Sequence, residues 1–463
     1  MATVARAESP LYLQIAESMT QQVARGALRP GDRVPSLRRL SRQRRVSMST
    51  ALQAYLWLES RGYLEARPQS GFYVRTPFSA LIPEPQFESP KTQPKTVTTN
   101  AILAELMESA NNPTNIPLGA VRREPEHSAR YHFPPGVEAL RRQIARRSPD
   151  MGCNFSPRDI IVTCGALEAL GLSLRAVAKP GDVIAMESPT YFGILESAAS
   201  LGMKIIEIPT NPQSGMDLNQ LEAAIRKHRV KACVVMTNSH NPLGYVLPDH
   251  YKKALVDVTA RWNVPLIEDD TYGDLAHQDL RPRTAKSFDR NGLVILYSSF
   301  SKILSPGYRI GWVAAGRFRE DVERLKLLTS VASPSLPQSV IAEFLATGGY
   351  DRYLKRLRTR LAGQVESVRQ AIAKYFPQGT RISRPAGGYM LWIEFPPRIN
   401  ALKLYRAALA ENISILPGTI FSATGQYKNH IRINCGHVWS EIYDRALLTL
   451  GRLCEKAQAS QSV

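Results

Sequence analysis

The residues best suited to chemistry lie in one segment, Tyr297–Trp312, which reads YSSFSKILSPGYRIGW. Lys302 follows an apolar run, and a primary amine placed there can hold an aldehyde cofactor as a Schiff base. Ser299 and Arg309 flank the lysine, three residues before it and seven after it. A hydroxyl and a planar guanidinium at those positions would bind a phosphate. A single lysine is usually a surface residue, but this spacing predicts a site for a phosphorylated aldehyde.

A second segment, LIEDDTY at 266–272, supplies groups that a pyridine ring would need. A carboxylate at Asp269 would pair with the protonated ring nitrogen and make the ring an electron sink. Tyr272 would donate to a ring hydroxylate, and Asn241 in SHNPLG offers its amide to the same oxygen. Asp270, the next residue along the chain, is the alternative to Asp269.

Three shorter segments add further candidates. TCGAL at 163–167 lies between a predicted strand and a predicted helix, where backbone N–H groups bind phosphate; these groups would come from Gly165, Ala166 and Leu167. Tyr191 in ESPTYFG would stack on the ring, with a core tyrosine as the alternative. Arg432 in HIRINCG would bind a substrate carboxylate, with a surface strand arginine as the alternative.

The elements that must position these residues are short strands alternating with helices. From about Ile116 onward the β-rich runs read DIIVTCG, DVIAME, VKACVVMTNS, VPLIEDD and GLVILYSS. Such alternation predicts a mainly parallel α/β sheet covered on both faces. Ligands bind at the carboxyl ends of such strands, and the candidate residues follow these runs.

The first 75 residues have a different pattern, which predicts three helices and a β-hairpin. The first helix has an apolar stripe at three- and four-residue spacing: Tyr12, Ile15, Ala16, Met19 and Val23. The second begins after the N-cap Ser36, and the third begins at the N-cap Ser47 and ends before Gly62. The third is expected to bury Ala51, Ala54, Tyr55 and Leu58. Strands at 63–65 and 72–74 would enclose a turn-rich tip, so we predict a winged helix-turn-helix.

The charge of this region points to double-stranded DNA. Residues 1–75 contain twelve arginines, no lysine and five acidic residues, and the whole chain has a formal net charge of +19. The arginines of the second helix, Arg38 among them, would grip the phosphate backbone, although an arginine run is often only a solvated helix face. The recognition turn would present Ser47, Met48, Ser49 and Thr50 to the major groove. A methionine at 48 cannot make the paired hydrogen bonds that read guanine.

The stretch PSLRRLSRQRRVSMSTALQAYLWLESRGYLEARPQSGFYV closely resembles the GntR family of bacterial repressors. The resemblance implies that Arg38, the turn at 47–50 and the wing tip contact DNA; the wing-tip residues are Gln69, Ser70 and Gly71. In that family the second residue of the recognition turn is often arginine, and here it is Met48.

Residues 111–463 resemble the fold-type I enzymes that use pyridoxal phosphate, the aspartate aminotransferase superfamily, and PAGGYMLW at 385–392 resembles its small-domain motif. The resemblance implies catalytic roles for Lys302, Asp269 and Tyr272. It implies cofactor contacts from those three and from Asn241, Tyr191, Gly165, Ala166, Leu167, Ser299 and Arg309. It also implies that Tyr131 reaches the phosphate of a neighbouring subunit, and that Arg432 binds the substrate.

A GntR-like segment followed by an aminotransferase-like segment is similar to the domain layout of the MocR family. The sequence motifs are most similar to those of its YdcR-like branch. We therefore expect a DNA-binding domain at 1–75, a proline-rich linker at 76–110 and a pyridoxal phosphate domain at 111–463. Within the last, the large domain would span about 146–340, and the small domain 111–145 and 341–463. The expected function is a homodimeric transcription regulator that senses a small amine, an amino acid or pyridoxal phosphate through a Schiff base at Lys302. The alternatives are a working aminotransferase with an appended DNA-binding domain, and a sensor of the cofactor level.

Other features exclude several classes of protein. The five cysteines form no CxxC pair and no cluster, so neither disulfides nor a metal site is expected. The N-terminus lacks the apolar core of a signal peptide, and no apolar run approaches the length of a membrane span. These features predict a soluble protein of the bacterial cytoplasm, located at the nucleoid when bound to DNA.

Overall fold

The structure, a computed structural model, describes residues 10–75, 131–278 and 280–459. The chain divides into two compact units on either side of residue 100, and each is described by itself. The predicted linker at 76–110 lies outside the described residues. No helix within the described ranges has both the length and the apolarity that a membrane crossing requires.

The first unit contains three helices and an antiparallel hairpin. The helices are α1 (Leu11–Ala24), α2 (Leu37–Arg44) and α3 (Met48–Ser60), and the strands are β1 (Leu64–Arg67) and β2 (Gly71–Val74). Both predicted N-caps are confirmed, since Ser36 accepts a hydrogen bond from the Arg39 N–H and Ser47 accepts one from the Thr50 N–H. The four residues that α3 was expected to bury lie in the core of this unit. The strands begin and end within two residues of the predicted bounds.

An eight-stranded sheet forms the centre of the second unit, in the order β3-β10-β9-β8-β7-β4-β5-β6. The strands are β3 (Ile160–Thr163), β4 (Val183–Ser188), β5 (Lys204–Asn211), β6 (Gly215–Met216), β7 (Ala232–Val235), β8 (Leu266–Asp269), β9 (Val294–Ser299) and β10 (Gly311–Ala314). Strands β9, β8, β7, β4 and β5 run parallel, whereas β10 is antiparallel to both of its neighbours. Most of these strands are buried along their whole length, as expected for a sheet covered on both faces.

The helices associated with this sheet are α4 (Glu138–Arg147), α5 (Ala166–Val177), α6 (Phe192–Ser200), α7 (Leu218–His228), α8 (Asp249–Arg261), α9 (Arg319–Ser330) and α10 (Ser335–Ala346). Helix α4 corrects one sequence-based boundary. The sequence predicts that 111–145 belongs to the small domain, but Leu140 and Ile144 pack into the core of the eight-stranded sheet. The Val137 N–H also donates to the side chain of Gln338, on α10, at 2.9 Å. The apolar face of α4 therefore belongs to the large domain.

A four-stranded antiparallel sheet forms the second core of this unit, in the order β11-β12-β14-β13. Its elements are β11 (Arg381–Ile382), β12 (Met390–Glu394), α12 (Ala401–Ala410), β13 (Leu416–Pro417), β14 (His430–Asn434) and α13 (Glu441–Ala459). The long helix α11 (Gly349–Tyr375) joins the two cores, because Leu354 and Leu361 pack with the large sheet and Val368 and Ile372 pack with the small one.

Candidate functional site

Lys302 lies in the turn that follows β9, the position expected for an amine at a strand end. It makes no hydrogen bond or ion pair with any described residue, and it is exposed to solvent. Desolvation by the surrounding protein lowers the pKa of Lys302 below its ordinary value, and the positive charges of Arg432 and Arg309 lower it further. A larger share of neutral amine is therefore present at neutral pH, which favours attack on a carbonyl carbon.

The two adjacent carboxylates of the predicted site have different surroundings. Asp269, at the end of β8, accepts hydrogen bonds from the Thr271 N–H at 2.8 Å and the Tyr297 hydroxyl at 3.0 Å. It has no cationic partner among the described residues. Burial raises the pKa of Asp269 above its ordinary value, and these hydrogen bonds oppose the rise. A buried carboxylate held only by neutral donors is suited to a cationic ligand such as a protonated ring nitrogen.

Asp270, by contrast, already has its partners. Its carboxylate forms a buried ion pair with Arg281 and accepts a hydrogen bond from the Asn238 amide at 2.9 Å. Arg281 also bridges to Asp274. This network stabilises the protein behind the site, so the structure favours Asp269 over Asp270 as the group available to a ligand.

Arg432 and Asn241 contact each other although 191 residues separate them in the chain. Arg432, on β14, donates from Nη1 to the Asn241 side-chain oxygen at 3.0 Å. Because the Asn241 side-chain oxygen accepts from Arg432, the amide nitrogen of Asn241 can donate to the ring oxygen of a cofactor. The Nε atom of Arg432 is buried and has no partner among the described residues. An unpaired guanidinium N–H at a site of this kind is suited to a carboxylate.

Tyr272 and Tyr191 lie near these groups. Tyr272 is buried, and burial raises its pKa well above the ordinary value, which keeps the hydroxyl protonated and able to donate. Tyr191 is half-buried just before α6, and burial raises its pKa, while the charge of Arg432 lowers it and that of Asp269 raises it. A side chain at Gly193 would place its Cβ 2.5 Å from the Tyr191 ring, so this glycine leaves room for the ring.

Tyr389 is a site residue that the sequence analysis did not identify. Its ring centroid lies 5.7 Å from that of Tyr272, in an edge-to-face arrangement. Burial raises the pKa of Tyr389, while a hydrogen bond with Tyr272 and the charge of Arg432 lower it. The only signal for Tyr389 in the sequence is its position in PAGGYMLW, the segment that resembles the small-domain motif.

The predicted phosphate-binding groups lie together at the N-terminus of α5. Gly165 is the N-cap residue with φ of 93°, and Arg309 donates to the Cys164 carbonyl at 2.9 Å. A Cβ on Gly165 would lie 2.7 Å from Arg309 Nη2, so only glycine lets the guanidinium approach the helix start. The backbone N–H groups of Ala166 and Leu167 add the donors of the first turn.

Ser301 is a second residue that the sequence analysis missed. Its hydroxyl accepts hydrogen bonds from Ser299 Oγ at 3.1 Å and from Arg309 Nη1 at 3.4 Å. The single proton of the Ser299 hydroxyl is shared between Ser301 Oγ and the Ile310 carbonyl, and Ser299 Oγ accepts from the Ser301 N–H. The signal was the third serine of SSFSK, directly before the lysine.

The donor set fits pyridoxal phosphate. A helix N-terminus, two hydroxyls and Arg309 suit a dianionic phosphate, and the absence of a side chain at Gly165 lets the Arg309 guanidinium lie against the helix start. Lys302 offers a free amine and Asp269 a carboxylate without a cationic partner among the described residues. Tyr131, predicted to serve a neighbouring subunit, is 62% exposed and stacks on Phe133 with ring centroids 5.9 Å apart.

In the first unit, the candidate DNA-binding residues lie on α2, at the start of α3 and at the tip of the hairpin. The Ser47 hydroxyl contacts the hydroxyls of Ser49 at 2.7 Å and Thr50 at 2.8 Å. Met48 is 45% exposed, and Arg38 on α2 is exposed.

At the wing tip, Gln69 has φ of 59° and Gly71 has φ of 106°. These two left-handed residues shape the turn between β1 and β2. The Ser70 hydroxyl lies 2.6 Å from the Tyr73 hydroxyl, and the Arg67 guanidinium lies over the Tyr73 ring at 4.4 Å. The predicted tip is therefore a defined turn supported by Tyr73.

Two family descriptions match this chain. Residues 93–448 match the family described as aminotransferase class I and II, and residues 11–74 match the bacterial regulatory proteins of the gntR family. Two Escherichia coli K12 proteins named as uncharacterized HTH-type transcriptional regulators, YdcR and YjiR, are 38% and 34% identical to it. Each comparison covers 96% of this chain and 99% of the relative.

Among solved structures, the α-aminoadipate aminotransferase LysN from Thermus thermophilus, complexed with N-(5'-phosphopyridoxyl)-L-leucine, is 26% identical with a TM-score of 0.67. The match covers 72% of this chain and 85% of that one. The predicted fold, a winged helix-turn-helix followed by a fold-type I aminotransferase domain, is confirmed, and the family implies pyridoxal phosphate as the cofactor. The chain therefore belongs to the MocR-type transcription regulators, in which a GntR-type DNA-binding domain precedes an aminotransferase domain.

Proposed function

We propose that this regulator senses a small amino compound at its cofactor and converts the binding into a change of DNA affinity. The observation that carries the proposal is the amine of Lys302, which has no partner within the described part of the chain and lies near both the phosphate-binding groups and Arg432. When bound, pyridoxal phosphate supplies an aldehyde that combines reversibly with primary amines. Because the same chain carries a DNA-binding domain, binding of an amine at the cofactor could regulate transcription. DNA binding would place the protein at the nucleoid.

In the proposal, each residue of the site has a separate role in binding the cofactor. Lys302 holds the cofactor, Asp269 pairs with its ring nitrogen and Tyr191 stacks on its ring. Asn241 and Tyr272 donate to the ring oxygen. The phosphate is bound by the start of α5, Ser299, Ser301 and Arg309.

Arg432 would select among amines. Its buried Nε has no partner among the described residues, so a carboxylate beside it would gain a charge-assisted hydrogen bond. An amine without a carboxylate would leave that N–H unpaired. We therefore propose an amino acid, rather than a simple amine or the cofactor alone, as the effector.

A homodimer built by the second unit is also part of the proposal. Several large apolar side chains of α5, α9 and α10 and the turn after α9 are exposed: Leu167 (48%), Leu328 (50%), Val331 (45%), Leu336 (64%) and Val340 (46%). Exposed apolar side chains concentrated on neighbouring helices mark a protein interface. Leu167 belongs to the phosphate-binding turn, so a partner subunit seated there would cover the phosphate site, and we propose that the partner subunit's Tyr131 contacts the phosphate, as the resemblance implies. Two DNA-binding domains per dimer imply paired half-sites.

The proposed function is tested by two readouts on one sample. Amino acids are titrated into the full-length protein loaded with pyridoxal phosphate, and both the cofactor absorbance and the affinity for a selected DNA duplex are recorded. We expect the effective amino acid to shift both with the same midpoint, because binding free energies at coupled sites are reciprocal. An absorbance change with no change in DNA affinity would contradict the sensor and favour a working aminotransferase, for which the same residues would serve.

Arg38→Ala should weaken DNA binding on many sequences alike, since Arg38 is exposed, forms no ion pair within residues 10–75 and would contact phosphate. Loss of one phosphate contact reduces the slope of log affinity against log salt by about one unit. Binding to a selected and a scrambled duplex at several salt concentrations checks this. Arg61→Ala, at the far end of α3, is the matched control and should keep the slope. An unchanged slope for Arg38→Ala would remove this residue from the interface.

A further inference from the structure

Three large apolar side chains lie exposed along α3, in addition to those that α3 buries. Met48, Leu52 and Leu56 are 45%, 39% and 50% exposed. Their four-residue spacing aligns them on one row of the helix surface, which we call the apolar row. The core residues of α3, Ala51 and Tyr55 among them, are fully buried on a different face. Packing within the unit therefore does not account for the apolar row.

The polar groups at the start of α3 are already engaged with each other. The Ser47 hydroxyl caps the helix by accepting from the Thr50 N–H at 3.0 Å, and it lies within hydrogen-bond distance of the Ser49 and Thr50 hydroxyls. These contacts reduce the hydrogen-bonding capacity that the first turn can offer to base edges. Beside these hydroxyls, the first two turns present the apolar surface of Met48 and Leu52 to solvent.

The charges beside the apolar row indicate what covers it. Four exposed arginines on and just after α2 form no ion pair with any residue of 10–75: Arg38, Arg39, Arg42 and Arg45. Unpaired cations next to an apolar row complement a surface that carries phosphates and also presents apolar groups. The major groove of DNA is such a surface, because each thymine displays its C5-methyl group there.

We infer that the apolar row reads thymine methyl groups, so that the DNA preferred by this chain carries thymines where Met48 and Leu52 enter the major groove. The inference rests on the proposed DNA binding and specifies what is read. A helix rise of 1.5 Å per residue separates Met48 from Leu52 by about 6 Å, close to two base-pair steps of about 3.4 Å. The two side chains therefore match thymines about two base pairs apart, and Leu56 continues the row toward the groove edge.

The experiment compares thymidine with deoxyuridine in the DNA. The two nucleosides differ only in the C5-methyl group of the base, which deoxyuridine lacks. Duplexes are first selected from a random pool with the full-length protein loaded with pyridoxal phosphate. The thymines of the selected sequence are then replaced one at a time by deoxyuridine. Each contacted methyl should strengthen binding about fourfold, the value for burying one group of this size. Replacement at positions outside the groove contact should change nothing.

Protein variants test whether the apolar row causes the difference in affinity between thymine and deoxyuridine duplexes. Met48→Ala and Leu52→Ala should each bring the thymine-to-deoxyuridine affinity ratio at one position close to one. Leu11→Ala, which truncates a leucine of α1 that is 58% exposed, should keep the wild-type ratio. The ratio separates methyl recognition from general weakening, because a misfolded or weakly binding variant loses affinity for both duplexes equally.

The possible outcomes separate this inference from the proposed function. If no duplex is enriched, both the DNA binding and the inference are overturned. If a duplex is enriched but binds equally well with deoxyuridine, the inference alone is overturned. Variants that change the oligomeric state or the thermal stability while the ratio stays at its wild-type value would assign the row to a protein contact, and would also overturn it.

Discussion

Lys302→Ala is expected to abolish covalent attachment of pyridoxal phosphate while leaving the protein folded. The lysine amine has no hydrogen bond or ion pair with any described residue, so its removal breaks no structural contact. The phosphate-binding groups and Asp269 would still bind the free aldehyde without a covalent bond. The near-visible absorbance of the lysine-linked cofactor should therefore disappear completely, and gel filtration should release the cofactor from the variant.

A pH titration sharpens this test. The pKa of Lys302 is lowered by desolvation, then by Arg432 and Arg309, so the reactive neutral amine persists to a lower pH than for an ordinary lysine. Reattachment of the cofactor to the stripped wild-type protein should accordingly remain efficient around neutral pH. Lys253→Ala, an exposed lysine paired with Asp257, is the control and should behave like the wild type. Unaltered absorbance in Lys302→Ala would show that another amine holds the cofactor.

Features governed by local contacts were predictable from the sequence. The N-caps Ser36 and Ser47 bond to N–H groups only three residues away, so a short window of sequence contains the whole interaction. The burial of Ala51 and Tyr55 follows from helical periodicity in the same way. Lys302 and Arg309 lie on the two sides of one turn, which is why their fixed spacing was informative.

Features that depend on contacts between residues far apart in the chain were not predictable from the sequence. The sequence predicts Asp269 as the ring partner but leaves Asp270 as the alternative, because nothing local indicates that Asp270 meets Arg281 and Asn238. Strand β14 brings Arg432 to Asn241 through the pairing of the small sheet, so the contact has no signature at either position. The apolar stripe of α4 indicates that one face of the helix is buried but not against which core, and the structure packs Leu140 and Ile144 against the large sheet.

Arg432→Ala is expected to remove the preference for amino acids over simple amines. The guanidinium would donate to the effector carboxylate, and a hydrogen bond to a charged group contributes about 1.5–3 kcal/mol. Its loss should weaken the effector about 10- to 150-fold, and the accompanying change in DNA affinity should vanish at concentrations that saturate the wild type. The measurement is a parallel titration of an amino acid and its decarboxylated analogue, followed by absorbance and DNA binding.

Because Arg432 also holds the Asn241 side chain, a second variant must separate the two roles. Asn241→Ala removes the amide that Arg432 contacts but keeps the guanidinium, so it should alter the cofactor absorbance and retain the preference for the amino acid. Arg432→Lys keeps a positive charge without the planar fork and should recover only part of the preference. If Arg432→Ala discriminates between the two compounds as the wild type does, the carboxylate lies elsewhere. Two results together would overturn the sensor proposal. They are transamination of a keto acid by the wild type at the rates of metabolic enzymes, about 1–1000 per second, and a DNA affinity that does not change when the amino acid is added. The site would then serve catalysis.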